Sequence, residues 1–186
     1  MRKLIFGINL TIDGCCDHTK GRGNDDVHNY FTQLMREADT LLYGRKTYEL
    51  MVPFWPDMAR QNNAPTPAIN DFAQAFAAIK NIVVCSRTID KVEGHNTSII
   101  RDNLQEEVLR LKQQPGGNIS TGGVDIPSQL IAMGLVDELH IMVQPIIAGA
   151  GRRFMDTTAL AESQDLKLVA SKVFDSGYVA LKYVKE

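Results

Sequence analysis

The stretch Asn118 to Gly134, NISTGGVDIPSQLIAMG, constrains the fold more than any other part of the chain. Ile119 lies in a short apolar, β-branched segment, Gly122 and Gly123 follow at once, and Ile126, Leu130, Ile131 and Met133 then recur at helical spacing. Strand, glycine turn and helix therefore come in that order. A helix start leaves backbone N–H groups unpaired and carries partial positive charge, and glycines let an anion come close, so the natural guest is a pyrophosphate. The alternative is a plain strand-to-helix turn in which the glycines serve only positive φ.

The rest of the chain repeats that alternation. Leu4 to Leu10 is an apolar run of strand length, followed by a loop, Thr11 to Asn24, with Asp13, Gly14, Gly21 and Gly23, that could act as a lid. Val27, Tyr30, Phe31, Leu34, Met35 and Ala38 share one helical face, with Asn24, Asp25 and Asp26 in front as cap and dipole partners. Thr40 to Tyr43 is a buried strand ended by Gly44, and Arg45 to Met51 begins a helix with a second open N-terminus. The prolines of Val52 to Ala68 mark a surface excursion, after which Ile69, Phe72, Ala73, Phe76 and Ala77 restore helical spacing. Asn81 to Ser86 is the next buried strand and leads into Arg87 and Thr88; Thr97 to Ile100 is a short one. Asp102 with Gln105 predicts a capping box before a helix that turns Leu104, Val108 and Leu111 inward. Glu138 to Gln144 is a strand, Pro145 to Phe154 a glycine-rich loop, and Leu166 to Phe174 with Tyr178 to Val184 a hairpin around Asp175-Ser176-Gly177. Strands alternating with helices before a closing hairpin specify an α/β protein whose sheet is mostly parallel, with antiparallel strands at its end. At 186 residues, the chain is expected to form one domain over 1–186.

In an open α/β sheet ligands bind beyond the carboxyl ends of the strands, so Gly44, Ser86-Arg87 and Gly122-Gly123 should gather on one rim. Two helix starts there can hold the two phosphates of a dinucleotide, and Arg87 offers a planar, permanently charged fork for the extra phosphate of NADPH. Taken alone, Arg87 reads as a solvated loop cation. Asp13, ending the first strand, and Asp26, opening the first helix, are the acids expected nearest a pocket, with turn and cap roles as their alternatives. Cys15 and Cys16 read as incidental, and three cysteines without a disulfide framework point to a reducing, cytoplasmic setting. His18, His28, His95 and His140 are scattered, and no G-x-S-x-G, HExxH or P-loop appears, so hydrolytic and metal chemistry have no visible apparatus. Gly149-x-Gly151 lacks the third glycine and the early strand of a dinucleotide fingerprint. Lysine plus arginine number 20 against 22 acids with no basic block, which argues against nucleic acid as partner. No apolar run is long enough to span a membrane, and the N-terminus reads as a strand instead of a signal peptide.

Several of these segments together form a known pattern: Leu41 to Glu49 (LLYGRKTYE), Val83 to Arg87 (VVCSR), Thr121-Gly122-Gly123, Gly134 to Leu139 (GLVDEL), Thr11 to Gly14 (TIDG) and the loop from Pro145 to Phe154. Across Leu4 to Val184 the chain resembles the dihydrofolate reductase superfamily, and within it the reductase domain of the bifunctional riboflavin-biosynthesis deaminase/reductase. The resemblance implies a dihydrofolate-reductase-like three-layer sandwich, NADPH as cofactor, a small-molecule substrate and a homodimer. Carried over by position, Gly44, Arg45, Lys46 and Thr47 would meet the pyrophosphate, Ser86 and Arg87 the 2′-phosphate, and Thr121, Gly122, Gly123 and Val124 the phosphates from the opposite side. Asp13 falls where the riboflavin-pathway relatives place an acid beside nicotinamide and substrate, and Asp26 is the candidate proton donor, with water as the other. The acid that folate reductases carry on their first long helix falls on or next to Val27. The implied activity is NADPH-dependent reduction of a small heterocycle resembling the ribosylaminopyrimidine of riboflavin biosynthesis, with dihydrofolate or pterin reduction and non-catalytic NADPH sensing as alternatives.

Overall fold

A computed structural model describes residues 1–92, 96–155 and 160–186; His95 lies outside them. The elements in chain order are Leu4–Thr11 (β1), Asp25–Glu37 (α1), Ala38–Gly44 (β2), Arg45–Met51 (α2), Phe54–Gln61 (α3), Pro67–Ala77 (α4), Asn81–Cys85 (β3) and Thr97–Ile100 (β4). They continue with Leu104–Gln113 (α5), Asn118–Thr121 (β5), Asp125–Ala132 (α6), Glu138–Gln144 (β6), Leu166–Val173 (β7) and Val179–Lys185 (β8). The strands form one eight-stranded sheet in the order β4-β3-β2-β5-β1-β6-β8-β7. β1 to β6 are paired parallel throughout, and β8 then runs antiparallel to both β6 and β7.

Strand alternation divides the core into layers. Leu4, Phe6, Ile8, Leu42, Val83 and Ile119 point to the face covered by α5 and α6, where Val108, Leu130 and Ile131 meet them. Leu41, Tyr43, Ile82 and Val84 point to the other face, against Met35 of α1 and Phe72 and Phe76 of α4. Each fully buried leucine or phenylalanine in these layers contributes about 1.5–3 kcal/mol relative to exposure. At the antiparallel end, Glu138 and His140 are buried. Glu138 accepts from Lys3 at 2.6 Å and from Lys182 at 2.7 Å. His140 approaches Glu138 through Nε2 at 3.3 Å and Tyr30 through Nδ1 at 2.7 Å. A carboxylate only accepts, so the ring proton is on Nε2, Nδ1 accepts from Tyr30, and the histidine is held in a structural network.

Two local expectations are corrected. The proline-rich excursion contains helix α3: Pro53 is its N-cap and Pro56 lies in its first turn, where backbone N–H groups have no intrahelical partner to lose. The capping box at Asp102 does not form. Asn103, at φ 54°, is the N-cap of α5 without a side-chain bond, while Asp102 faces Arg87 at 3.2 Å.

Candidate functional site

β3, β2, β5 and β1 are adjacent and parallel, so their carboxyl ends share one rim. A cleft of about 910 Å³ opens there, near the top of the roughly 300–1,000 Å³ range of small-molecule sites. Of the residues singled out by sequence, Gly44, Arg45, Lys46, Thr47, Ser86, Thr121, Gly122, Gly123 and Val124 all line it, and Arg87, Asp13 and Asp26 do not.

Two helix starts flank the cleft. α2 begins after Gly44 and α6 after Val124, and neither has a side-chain cap of the kind Asn24 gives α1, so their leading N–H groups remain for a ligand. Gly123 joins the two turns at φ 86°. A Cβ placed on it would come well inside 3.0 Å of Thr47 Oγ1, so the chain passes here only as glycine. Arg45 pairs with Glu49 at 3.2 Å and Lys46 lies beside it on the rim. Asp125, in the first turn of α6, would repel an anion, but Arg152 of the 145–154 loop pairs with it and holds its carboxyl below the usual range. Uncapped helix starts, a glycine cradle and a neutralised acid form a donor set that fits a diphosphate, and hence a dinucleotide cofactor.

The third rim segment follows β3. Ser86 Oγ accepts from the N–H of Thr88 at 3.2 Å and of Ile89 at 3.1 Å, a hydroxyl-closed turn that places Ser86 and Thr88 on the cleft. Arg87, between them, is 82% exposed. Thr121 donates to the carbonyl of Leu42 at 2.6 Å, tying β5 to β2 below the cradle. The Cys85 thiol also lines the cleft, but burial pushes it up to about 12, so it is no nucleophile near neutrality.

The two acids expected at the pocket are engaged elsewhere. Asp13 accepts from Thr11 Oγ1 at 2.6 Å and from the N–H groups of Ala148 at 3.0 Å and Gly149 at 2.9 Å, which clamps the 145–154 loop to β1. The Thr11 bond first, then the loop amides, holds its carboxyl down at about 2. Asp26 takes the hydroxyl of Ser176 in the β7–β8 turn. Sequence reasoning missed residues that do line the cleft: Asp17, Arg22, His28, Trp55, Phe72 and Gln144, together with Cys15 and Cys16, which it set aside. His28 follows Val27 on α1, one place from a residue assigned to the inward face, and that position was the only signal for it.

The sheet order, the three layers and the cleft at the carboxyl rim define a protein of dihydrofolate-reductase-like fold. A dihydrofolate reductase from Enterococcus faecalis, complexed with NADP(H) and RAB-propyl, superposes with a TM-score of 0.66 at 16% identity, covering 99% of this chain and 96% of that one. A putative riboflavin biosynthesis protein from Shewanella sp. PV-4 gives 0.74 at 20% identity, with 99% of each chain covered. A pyrimidine reductase-like protein from Corynebacterium diphtheriae gives 0.67 at 14% identity, covering 100% of this chain and 92% of that one. Residues 2–180 match the family described as the RibD C-terminal domain, and the chain belongs to that family. The Bacillus subtilis protein YyaP is 30% identical over 187 residues, covering 98% of this chain and 94% of that protein.

Proposed function

We propose that the protein is an NADPH-dependent reductase of a small heterocycle, of the ribosylaminopyrimidine kind that its resemblance to riboflavin-biosynthesis reductases implies. The observation that carries the proposal is the meeting of two uncapped helix starts and the Ser86–Thr88 turn on one cleft. Gly44 to Thr47 and Thr121 to Val124 hold the diphosphate, while Ser86 and Arg87 take the 2′-phosphate once Arg87 turns from Asp102. When bound, NADPH supplies the hydride. The chain orients the acceptor carbon against it.

Asp13 serves as a positioning residue through the loop it clamps. With Asp26 bonded to Ser176, water is the proton donor. β7 is an edge strand with Leu166, Leu168, Val169 and Val173 exposed, which suits it to pair two copies of the chain. Among the described residues no helix is long and apolar enough to cross a membrane, and the three free cysteines suit the cytoplasm.

Calorimetry with NADPH and NADP⁺, then NADPH oxidation against ribosylaminopyrimidines and dihydrofolate, tests the proposal. Micromolar NADPH binding with turnover of a ribosylaminopyrimidine supports it. Turnover of dihydrofolate alone would make the chain a folate reductase, binding without turnover a sensor, and no binding at millimolar cofactor would end all three. Sedimentation at micromolar protein should give a dimer, and a monomer would remove the pairing role of β7.

A further inference from the structure

Gln144 ends β6 at the cleft, beside Thr11 of β1 and on the same face of its strand as His140 and Met142. It is only 5% exposed. The orientation of its amide follows from its neighbour: the N–H of Arg22 lies 2.8 Å from Oε1 and needs an acceptor, so the oxygen stands there and the NH₂ group points the other way. A Cβ on Gly21 would lie 2.7 Å from Nε2 and 3.1 Å from Oε1, so the flat amide rests directly on the strap from Gly21 to Gly23. Tyr178 donates its hydroxyl to the Arg22 carbonyl at 2.6 Å, and both backbone polar groups of Arg22 are thus held by side chains.

Nε2 is placed differently. It has no hydrogen-bond partner among the described residues, in which the fully enclosed side-chain polar atoms without a partner are Asn70 Oδ1 and Ser128 Oγ. Nε2 is therefore not enclosed, and the space that Gln144 lines is the cleft. A ligand that covers this donor without offering it an acceptor strips away its water and leaves it unpaired, so the group sorts ligands by what they present.

The charged neighbours do not meet it. Asp17 and Arg22 line the same cleft, but Asp17 accepts from the Thr19 N–H at 2.9 Å and hydroxyl at 2.7 Å, and a guanidinium can only donate. On the far side of the strap, the His28 ring lies 3.2 Å from where a Cβ on Gly23 would stand, with its Nδ1 2.8 Å from the Asn24 carbonyl. The phosphate cradle is at the ends of β2 and β5, and β1 separates β5 from β6. Gln144 is therefore two strand spacings, roughly 10 Å, from the cradle, which places it for the molecule being reduced and not for the diphosphate.

Resting on the reductase proposal, we infer that Gln144 is a specificity-determining residue: Nε2 donates a hydrogen bond to an oxo group of the substrate, while Oε1 holds the Gly21–Gly23 strap.

Two substitutions separate the halves of the amide. Gln144→Glu keeps an oxygen for the Arg22 N–H and turns the donor into a second oxygen, whereas Gln144→Met loses both bonds at similar length. The probe is 5-amino-6-(ribitylamino)uracil, an uncharged oxo-pyrimidine, titrated by calorimetry under nitrogen into protein saturated with NADP⁺. NADPH is titrated separately. Gln144→Met should weaken the probe about three- to tenfold, the worth of one neutral hydrogen bond, and Gln144→Glu at least about tenfold, because lone pairs then face each other. NADPH affinity should stay within about threefold in both. A residue that served the strap alone would give the reverse order, with Gln144→Glu the milder change, and that order overturns the inference. Probe affinity unmoved by either variant overturns it too, as does a loss of NADPH affinity as large as that of the probe, which would assign Nε2 to the cofactor. Tyr178→Phe frees the Arg22 carbonyl and leaves Nε2 in place, so it should keep the probe within about threefold; a tenfold loss would trace the effect to the strap. On the unaltered protein, NADPH binding without probe binding overturns this inference alone, whereas no NADPH binding overturns the reductase proposal and the inference with it.

Discussion

Gly123→Ala is the sharpest perturbation of the phosphate cradle. Gly123 has φ 86°, where an L-residue pays about 1–2 kcal/mol, and the new methyl would come well inside 3.0 Å of Thr47 Oγ1. Thr47 is β-branched and in the first turn of α2, so relief forces its χ1 off a staggered well or shifts the turn, about 0.5–1.5 kcal/mol more. The expected loss of stability is about 1.5–3.5 kcal/mol. The displaced turn should also weaken NADPH at least about tenfold, the worth of one charge-assisted hydrogen bond. Gly149→Ala is the internal control: φ is 72°, but nothing lies within 4 Å, so it pays only the backbone share and leaves NADPH affinity unchanged. Once Oγ1 is gone, the nearest remaining Thr47 atom is Cβ at 3.4 Å, an ordinary contact, so Gly123→Ala with Thr47→Ala should recover the steric share. Urea unfolding with NADPH titration on wild type, Gly123→Ala, Thr47→Ala and the double variant closes the cycle, with Gly149→Ala beside it as the control. The reasoning is refuted if Gly123→Ala costs no more than Gly149→Ala, or if removing the Thr47 hydroxyl recovers nothing.

Glu138→Gln should cost about 1.5–3 kcal/mol near neutrality, because two ammonium groups lose a buried partner. Burial opposes the charge on Glu138, but bonds from Lys182, Lys3 and His140 outweigh it and hold the group at about 2, below its ordinary 4.5. The folded state thus binds fewer protons than the unfolded, and the stability gap between wild type and variant should be full above about pH 4.5 and shrink as pH falls toward 2; a gap that is flat with pH contradicts this. Asp13→Asn removes one of the two carboxylate acceptors of the 145–154 loop, so the amides of Ala148 and Gly149 should exchange at least about tenfold faster in deuterium, with NADPH affinity within about twofold. Unchanged exchange would deny the clamp. Arg87→Ala should weaken NADPH at least about tenfold and NADH hardly at all, and equal losses would take the 2′-phosphate from Arg87.

The frame of the fold was legible because buried parallel strands leave short apolar, β-branched runs, as at Ile82 to Val84, and because Asn24 and the Asp175–Gly177 turn sit where caps and hairpins need them. α3 was hidden by Pro53 and Pro56, which break helices anywhere except the first turn, where they stand. The phosphate side of the cleft was legible for a similar reason: helix starts act through backbone, and backbone position follows from element order. Side-chain direction does not. Asp13 finds its loop partners 135 and 136 residues away and Asp26 its hydroxyl 150 residues away, so nothing local shows that both face away from the cleft. His28, Trp55 and Phe72 meet only because three helices pack together, and no spacing announces that contact.

The placement of charge on the cleft differs from that of the chain as a whole. The whole chain has a net charge of −2, so its overall field does not draw in an anion. The cleft is different: Arg22, Arg45, Lys46 and Arg152 line it against two carboxylates, Asp17, which is occupied by Thr19, and Asp125, which is paired with Arg152. The local surplus is positive and partly solvent-exposed, so it is open to screening, whose length falls from about 10 Å at 0.1 M salt to about 3 Å at 1 M. NADPH affinity should therefore fall at least about threefold between roughly 0.05 and 0.5 M potassium chloride. A salt-insensitive NADPH site would mean that these cations do not hold its phosphates.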